Sequence, residues 1–250
     1  MQPAIDLFGL SIKTFGLCFG LAFVFCGLLL ARRLKELGKA PDLAYEIIFA
    51  GLIGGLVGAR LWYVADHTDE LSDDVLGTLF GGSGLTWYGG ALGGAAAVLL
   101  WARRRRMLNL GLLDLTAPAL ALGYAVGRVG CQVSGDGDYG RAWDGPWAMA
   151  YPEGVVPVDA EVHPTPIYES LSMGLVALVL WHLRDRFAPG RLFALYLLLA
   201  GLERLLVEFL RRNPDVALGL TSAQLVSVAM LAAGAAWLAR TTGRPAQAAP

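Results

Sequence analysis

Residues 7–31 read LFGLSIKTFGLCFGLAFVFCGLLLA, and this stretch decides the class of the protein. About 20 consecutive apolar residues are enough for a helix to cross the hydrocarbon core of a bilayer. No basic segment precedes the stretch, and it contains no clear cleavage site of small residues. We therefore interpret it as a retained transmembrane helix and not as a signal peptide.

Six further apolar stretches of similar length follow the first one. They run approximately over residues 43–64, 85–102, 112–129, 165–183, 192–210 and 221–239. Of the 250 residues 56% are hydrophobic and only 16% are charged, whereas a soluble domain has about 25% charged residues. The sequence predicts an all-α, polytopic membrane protein with about seven transmembrane helices. Residues 1–240 form a single transmembrane domain in this interpretation, and residues 241–250 form a disordered tail.

The charged loops predict how the chain crosses the membrane. Lysine and arginine residues cluster at 32–39, 103–106, 184–191 and 240–244, whereas the loop at 66–74 and the longest loop, at about 131–164, are acidic. Because cytoplasmic loops are enriched in Lys and Arg, we expect the N-terminus and loop 131–164 outside and the C-terminus in the cytoplasm. Trp143, Trp147 and Tyr151 in this loop suit the headgroup interface. A loop with a small core of its own is an equally open interpretation.

Two clusters of glycines lie inside the second and third apolar stretches. They are Gly51, Gly54, Gly55 and Gly58 in the second stretch and Gly89, Gly90, Gly93 and Gly94 in the third. Small residues let transmembrane helices approach closely, so close helix packing is the favoured interpretation. Glycines also let a bulky lipid approach the backbone, and the two roles are compatible.

A few arginines inside the apolar stretches are candidate functional residues, because a charge at membrane depth is costly unless it is paired or used. Arg60 lies near the outer end of the second stretch, where its side chain can also reach the interface. Arg128 lies near the outer end of the fourth stretch. Arg204 is central in the sixth, and Glu208 follows on the same helix face. Arg204 therefore either pairs with Glu208 or binds an anionic ligand, since guanidinium groups bind phosphate bidentately.

The segment 163–169, HPTPIYE, opens the fifth apolar stretch. Thr165 followed by Pro166 predicts a helix N-cap and a first-turn proline, which places Tyr168 and Glu169 in the first helical turn. His163 is either an interfacial acid–base group or, more commonly, a structural hydrogen-bonding residue.

The remaining polar features predict no metal site and no cofactor. Asp136 and Asp138 could bind a cation or form a solvated turn, and the second is the more common outcome. The three cysteines, Cys18, Cys26 and Cys131, are too few and too scattered for a metal cluster. The net charge of −1 gives no indication of nucleic-acid binding, and we predict no nucleic-acid partner.

Several motifs occur in an order that is specific to one family. They are GARLWY (58–63), TWYGG (86–90), GRVGC (127–131), DYGR (138–141), HPTPIYE (163–169), ERLLVEFLR (203–211) with Pro214-Asp215, and TSAQL (221–225). This sequence resembles the bacterial prolipoprotein diacylglyceryl transferase family over nearly its whole length. The resemblance implies seven spans in the cytoplasmic (inner) membrane. It also implies transfer of a diacylglyceryl group from phosphatidylglycerol to the lipobox cysteine of a prolipoprotein signal peptide.

The resemblance also implies roles for particular residues. Arg128 lies in the family's signature segment and would contact the lipid phosphate, with Arg204 as the second essential arginine. Apart from the resemblance, we predict Arg60 as a further phosphate contact, because it is an arginine at membrane depth. Gly140, Glu208 and Glu169 match other family positions. We add three supporting residues on position alone: His163, Tyr168 and Cys131.

Four departures from the family pattern identify the chain as a divergent member. The family's histidine before the paired glycines is Tyr88, the asparagine after the signature arginine is Cys131, the tyrosine of the first span is Phe15, and Ala200 replaces another tyrosine. We predict that Tyr88 and Arg204 are catalytic. Two alternatives stay open: a phospholipid-dependent transferase with a different acceptor, and a non-catalytic protein that binds or transports lipid.

Overall fold

The computed structural model describes residues 1–7, 9–68 and 86–241. Two β-hairpins and seven α-helices lie in these ranges. In chain order they are β1 (Ala4–Leu7), β2 (Leu10–Lys13), α1 (Thr14–Glu36), α2 (Leu43–Asp66), α3 (Trp87–Arg104), α4 (Leu110–Ser134), β3 (Met149–Tyr151), β4 (Val158–Val162), α5 (Thr165–Leu183), α6 (Arg191–Glu208) and α7 (Ser222–Thr241).

The helices agree with the predicted spans to within a few residues, except at the first one. There the prediction was wrong, because Leu7 and Leu10–Lys13 belong to an antiparallel hairpin in which Ala4 pairs with Lys13. Both strands of the hairpin are largely apolar, so composition alone does not separate them from the helix that follows. The prediction of an all-α protein is therefore correct for the spans but omits two short hairpins.

Five of the described helices, α1, α2, α4, α5 and α7, are long and apolar enough to cross a bilayer. The other two are shorter and less apolar: α3 is rich in glycine and ends in arginines, and α6 carries Arg191, Glu203, Arg204 and Glu208. The chain is thus a multi-pass membrane protein, while the count of seven spans and the orientation of the termini stay predictions. The tail predicted at 241–250 lies, apart from Thr241, outside the described residues.

The contacts divide the chain into two compact units. One unit comprises residues 1–26 together with the chain from Leu110 onwards, and the other comprises residues 27–109. In the first unit α4, α5 and α6 enclose a core in which small and large side chains alternate. Its fully buried members include Ala117, Ala121, Met173 and Leu180.

In the second unit α2 and α3 pack through the predicted glycine faces. A Cβ atom on Gly93 would lie 2.7 Å from the Cα atom of Gly58, and one on Gly54 would lie 2.6 Å from the carbonyl oxygen of Gly93. The backbones are therefore too close for any side chain at these positions, and the prediction of close helix packing is confirmed.

The loop between α4 and α5 has a small core of its own. Tyr139, Tyr151 and Val162 are buried together, and the two tyrosine rings stack with their centres 4.7 Å apart. Burial raises the pKa of Tyr151 to about 12. The loop begins later than predicted, since α4 continues through Cys131 to Ser134. Trp147, in contrast, is exposed.

Candidate functional site

Arg128 lies inside α4, nearly two turns before its end. Its guanidinium forms an ion pair with Asp138, donates to the hydroxyl of Tyr124 at 3.0 Å, and lies 3.3 Å from Glu169. Tyr124 is four residues earlier on the same helix face. The Arg128 side chain is 14% exposed, so it is held by three partners and still has an accessible part.

Glu169 is the shared partner of the site. Its carboxylate is fully buried on α5, and oxygen Oε1 accepts hydrogen bonds from Tyr124 at 2.6 Å and from Arg204 at 3.1 Å. Oxygen Oε2 lies 3.4 Å from Arg211. A buried carboxylate is stable only where charged donors surround it. Glu169 therefore ties α4, α5 and α6 to one point.

Arg204 projects from α6 toward the same point. One Nη atom contacts Glu169, and the other lies 2.8 Å from Glu208, one turn further along the helix. Glu208 is itself held by Asn213 at 2.8 Å and by the hydroxyl of Thr221 at 2.6 Å. The Arg204–Glu208 pair that the sequence allowed is thus present. Arg204 remains 20% exposed, which leaves it able to contact a ligand.

Asp138 and Arg211 complete the site. The sequence interpretation had given Asp138 two possible roles, as a cation ligand or in a solvated turn, and had assigned no role to Arg211. Arg211 lies just after α6 and reaches both Asp138 and Glu169. Burial opposes the ionisation of Asp138, but the charges of Arg128 and Arg211 outweigh it and lower the pKa of this carboxyl group. Asp138 is therefore an ion-pair partner of two arginines.

The charges of this cluster balance. Three guanidinium groups, those of Arg128, Arg204 and Arg211, face three carboxylates, those of Asp138, Glu169 and Glu208. We call these six residues the arginine site. Arg211 is the least exposed of the three arginines, at 7%. Arg128 and Arg204 are thus the two cations of the site with the most access to a ligand.

The loop is fastened to the site by backbone hydrogen bonds around Gly140. Its N–H donates to the carbonyl of His163 at 2.8 Å, and the next N–H, of Arg141, donates to Leu210 at 2.8 Å. A Cβ atom on Gly140 would lie 2.6 Å from the Leu210 carbonyl oxygen. Only glycine fits at this position. Gly140 therefore allows the loop to pack close to the end of α6, which brings Asp138 to the arginines.

The N-cap of α5 differs from the prediction by one residue. Thr165 is the first helical residue and not the N-cap, which is Pro164. The Thr165 hydroxyl instead donates to the backbone carbonyl of Asp138 at 2.6 Å. The Thr165 hydroxyl is therefore not used to cap the helix. Its hydrogen bond instead holds the loop against the start of α5.

His163 and Tyr168 lie together at the entrance of α5. The His163 ring stacks on Trp143 with ring centres 4.4 Å apart, and its Nδ1 atom lies 3.3 Å from the Tyr168 hydroxyl. That hydroxyl also accepts a hydrogen bond from Trp147 at 2.7 Å. The contacts hold the aromatic side chains of the loop in place, which agrees with the structural interpretation of His163.

Three further predicted residues are Arg60, Tyr88 and Cys131. Arg60, over the ring of Tyr63, and Tyr88 both belong to the second unit. Cys131 is buried in α4, and the Arg128 guanidinium lies 3.7 Å from its sulfur. Cys131, Asp136 and Asp138 place a thiol and two carboxylates within 4.8 Å of one another. Because two guanidiniums already hold Asp138, this group is part of an ion-pair cluster.

Comparison with known proteins assigns the family. The family model of prolipoprotein diacylglyceryl transferase matches residues 2–240. A phosphatidylglycerol–prolipoprotein diacylglyceryl transferase of Clostridium tetani is 34% identical over 86% of this chain and 87% of its own length. Proteins of the same name from Chromohalobacter salexigens and Idiomarina loihiensis are each 36% identical, over 93% and 88% of this chain and 89% and 85% of theirs. The chain therefore belongs to the prolipoprotein diacylglyceryl transferase family.

Proposed function

We propose that this protein transfers a diacylglyceryl group from phosphatidylglycerol to the lipobox cysteine thiol of a prolipoprotein. The relatives are named for that reaction. The observation that carries the proposal is the pair of partly exposed guanidiniums, Arg128 and Arg204, which share the buried carboxylate of Glu169. Two fixed cations at one point in a membrane protein suit a lipid phosphate.

The reaction explains why arginines are required. The thiol sulfur attacks the glyceryl carbon that carries the phosphate ester, a C–S bond forms, and the C–O bond breaks. Glycerol phosphate leaves with the bonding electrons, and the thiol proton passes to a base. Negative charge thus grows on the departing phosphate, and preorganised guanidinium donors in a site of low dielectric stabilise it.

The ion pairs of the arginine site preorganise these donors. Glu169 and Glu208 hold Arg204 from two sides, and Asp138 with Tyr124 holds Arg128. Each guanidinium uses only part of its five N–H donors on these partners. The remaining donors are available to the phosphate oxygens, without a rearrangement when the charge develops.

Tyr88 is assigned its role by the resemblance and by chemistry, and Arg60 by its charge at membrane depth. A thiol with a pKa near roughly 8.5 must lose its proton to become a good nucleophile. Tyr88 stands where the family has a histidine, and we propose that its hydroxyl assists proton transfer or orients the lipid. Arg60 is proposed as a further phosphate contact. The supporting roles of Gly140, Glu208, His163, Tyr168, Glu169 and Cys131 belong to the same proposal.

The proposal places the reaction at the outer leaflet of the bacterial cytoplasmic membrane. The acidic loops would then face outward and the basic loops the cytoplasm, as the distribution of Lys and Arg predicts. The N-terminus would be outside, after which seven spans bring the C-terminus to the cytoplasm.

The test is a membrane assay with phosphatidylglycerol and a lipobox peptide, read by mass spectrometry. We expect a thioether-linked diacylglyceryl peptide from the purified protein, and a loss of at least about a hundredfold in Arg128→Ala and Arg204→Ala, as for an oxyanion donor. Arg186→Ala is the matched control, because Arg186 is an exposed loop arginine. Absence of the thioether product from the folded protein would refute the proposal.

A further inference from the structure

Glu203 is a buried carboxyl group outside the balanced pairs of the arginine site. It lies on α6 immediately before Arg204 and is 8% exposed. Its Oε1 atom accepts a hydrogen bond from the hydroxyl of Ser172 on α5 at 3.1 Å. Among the residues of the described ranges, no cationic side chain forms an ion pair with it. Glu169 and Glu208, in contrast, each contact two or more arginines.

An ionised carboxylate in this position is unfavourable. Removing a charge from water costs several kcal/mol unless a counter-ion and further donors replace the solvent, and a single neutral hydroxyl is a weak replacement. The group instead binds a proton and becomes neutral. At membrane depth this preference is stronger, because apolar surroundings oppose the charged form.

The charged neighbours of Glu203 come from three helices. They are the carboxylate of Glu169 on α5 and the guanidiniums of Arg204 on α6 and Arg128 on α4, and Tyr124 of α4 also interacts with Glu203. The two arginines are already paired with carboxylates, so their net effect is reduced. Helix α7, which packs against α6, has its one charged residue, Arg240, at the far end.

The charge of Glu203 decides the net charge of the whole cluster. The arginine site contains three cations and three anions, so it is neutral as long as Glu203 is protonated. When Glu203 ionises, the cluster acquires one net negative charge. A phosphodiester lipid such as phosphatidylglycerol adds another. Binding an anionic headgroup next to an ionised Glu203 would therefore bring together two uncompensated negative charges.

We propose that Glu203 is held as a neutral carboxylic acid and sets the affinity of the arginine site for anionic phospholipid. The site binds an anionic headgroup when Glu203 is protonated and loses affinity when this proton dissociates. The inference rests on the proposed function, since it takes the lipid phosphate as the ligand of Arg128 and Arg204. Glu203 acts here as a positioning residue through its charge and does not contact the phosphate.

The expected effect is on the order of tenfold in affinity. One unit charge at roughly 10 Å and an effective dielectric constant near 20 has an effect of this size. An ordinary glutamate, with a pKa of about 4.3, stays ionised throughout the neutral range and would give no change. The test is therefore the pH dependence of lipid binding.

The experiment measures binding of fluorescent phosphatidylglycerol to the purified protein in detergent between pH 5.5 and 9, with fluorescent phosphatidylcholine as the zwitterionic comparison. We expect the wild type to lose about tenfold in affinity for phosphatidylglycerol toward the alkaline end, with little change for phosphatidylcholine. Glu203→Gln keeps the acceptor for Ser172 but cannot ionise, so its affinity should equal that of the wild type at pH 5.5 and stay constant.

Ser172→Ala is the second variant, and it tests the inference even if the Glu203→Gln protein does not fold. The Ser172 hydroxyl stabilises the carboxylate, so its removal should shift the alkaline loss to higher pH. A wild type without pH dependence, or a Glu203→Gln variant with the same alkaline loss, would overturn the inference. Because binding is measured without turnover, its failure is separate from the absence of a thioether product, which would refute the proposed reaction alone.

Discussion

The guanidinium of Arg211 lies 3.4 Å from the carboxylate of Glu169, although 42 residues separate them in the chain. The same guanidinium forms an ion pair with Asp138 of the loop. Arg211 therefore joins the end of α6, the first turns of α5 and the loop after α4. Burial opposes its charge, but these carboxylates raise the pKa of Arg211 above its ordinary value, and the cation is permanent.

Arg211→Lys tests whether this junction shapes the site. A lysine has one compact cationic head and cannot bridge two carboxylates as a planar guanidinium does. One carboxylate then loses one of its arginine partners and keeps the others, so the cost is smaller than the about 3–5 kcal/mol of a fully broken buried pair. We expect at least a tenfold loss of transfer activity and a lower melting temperature in detergent. Arg212→Lys, an exposed neighbour, is the control, and equal effects at both positions would contradict the assigned role.

Gly93→Ala tests the packing of α2 against α3. The added methyl group would lie 2.7 Å from the Cα atom of Gly58, so the two helices must separate along their glycine faces. Overpacking of this kind costs about 1–3 kcal/mol. Thermal unfolding in detergent should show the loss. Gly20→Ala on α1 is the matched control, since a Cβ atom there has no atom within 4 Å. A Gly93→Ala protein as stable as Gly20→Ala would refute the packing account.

Asp114→Ala tests how the start of α6 is held. One oxygen of Asp114 on α4 accepts from the backbone N–H of Gly190 at 2.6 Å, and the other accepts from Phe193 at 2.8 Å. The carboxylate thus caps another helix and complements its dipole. Its removal leaves these donors unsatisfied, at about 1–3 kcal/mol. We expect a lower melting temperature for Asp114→Ala and a smaller loss for Asp114→Asn, which keeps one acceptor. Equal stability of wild type and Asp114→Ala would contradict the capping role.

The helices were predictable because long apolar stretches are a strong signal of membrane spans. Prolines also indicated where one of the helices starts. The span at 165–183 was predicted with the limits that α5 has, since Pro164 and Pro166 mark its start. The first span was predicted to start too early, because hairpin residues such as Leu10 and Ile12 are as apolar as the residues of the helix that follows. Period-2 alternation is hard to recognise in a stretch of four residues.

The sequence interpretation named four of the six residues of the arginine site: Arg128, Arg204, Glu169 and Glu208. Charges at membrane depth identified Arg128 and Arg204, but no local pattern shows that Glu169 joins them across three helices. Arg211 follows Arg204 by seven residues, close to two helical turns, and this spacing was an available signal. No sequence signal indicated that Asp138 pairs with the arginines, because this role depends on the fold of the loop. Hydrogen bonds of Gly140 and Thr165 hold that loop in position.

Asp138→Asn tests whether the ion pairs of Asp138 make the stability of the protein depend on pH. The pKa of Asp138 is lowered in the folded protein by Arg128 and Arg211, whereas an unfolded aspartate has a pKa of about 3.9. Ionised Asp138 therefore stabilises the fold fully above about pH 4, and this contribution is lost as the pH falls through the lowered value. The wild type should melt at a higher temperature than Asp138→Asn from pH 5 to 8, and the gap should narrow below about pH 4. Asp159→Asn removes an exposed carboxyl group from the same loop and serves as the control. If the gap between wild type and Asp138→Asn widens as the pH falls, the ion pairs of Asp138 do not stabilise the protein.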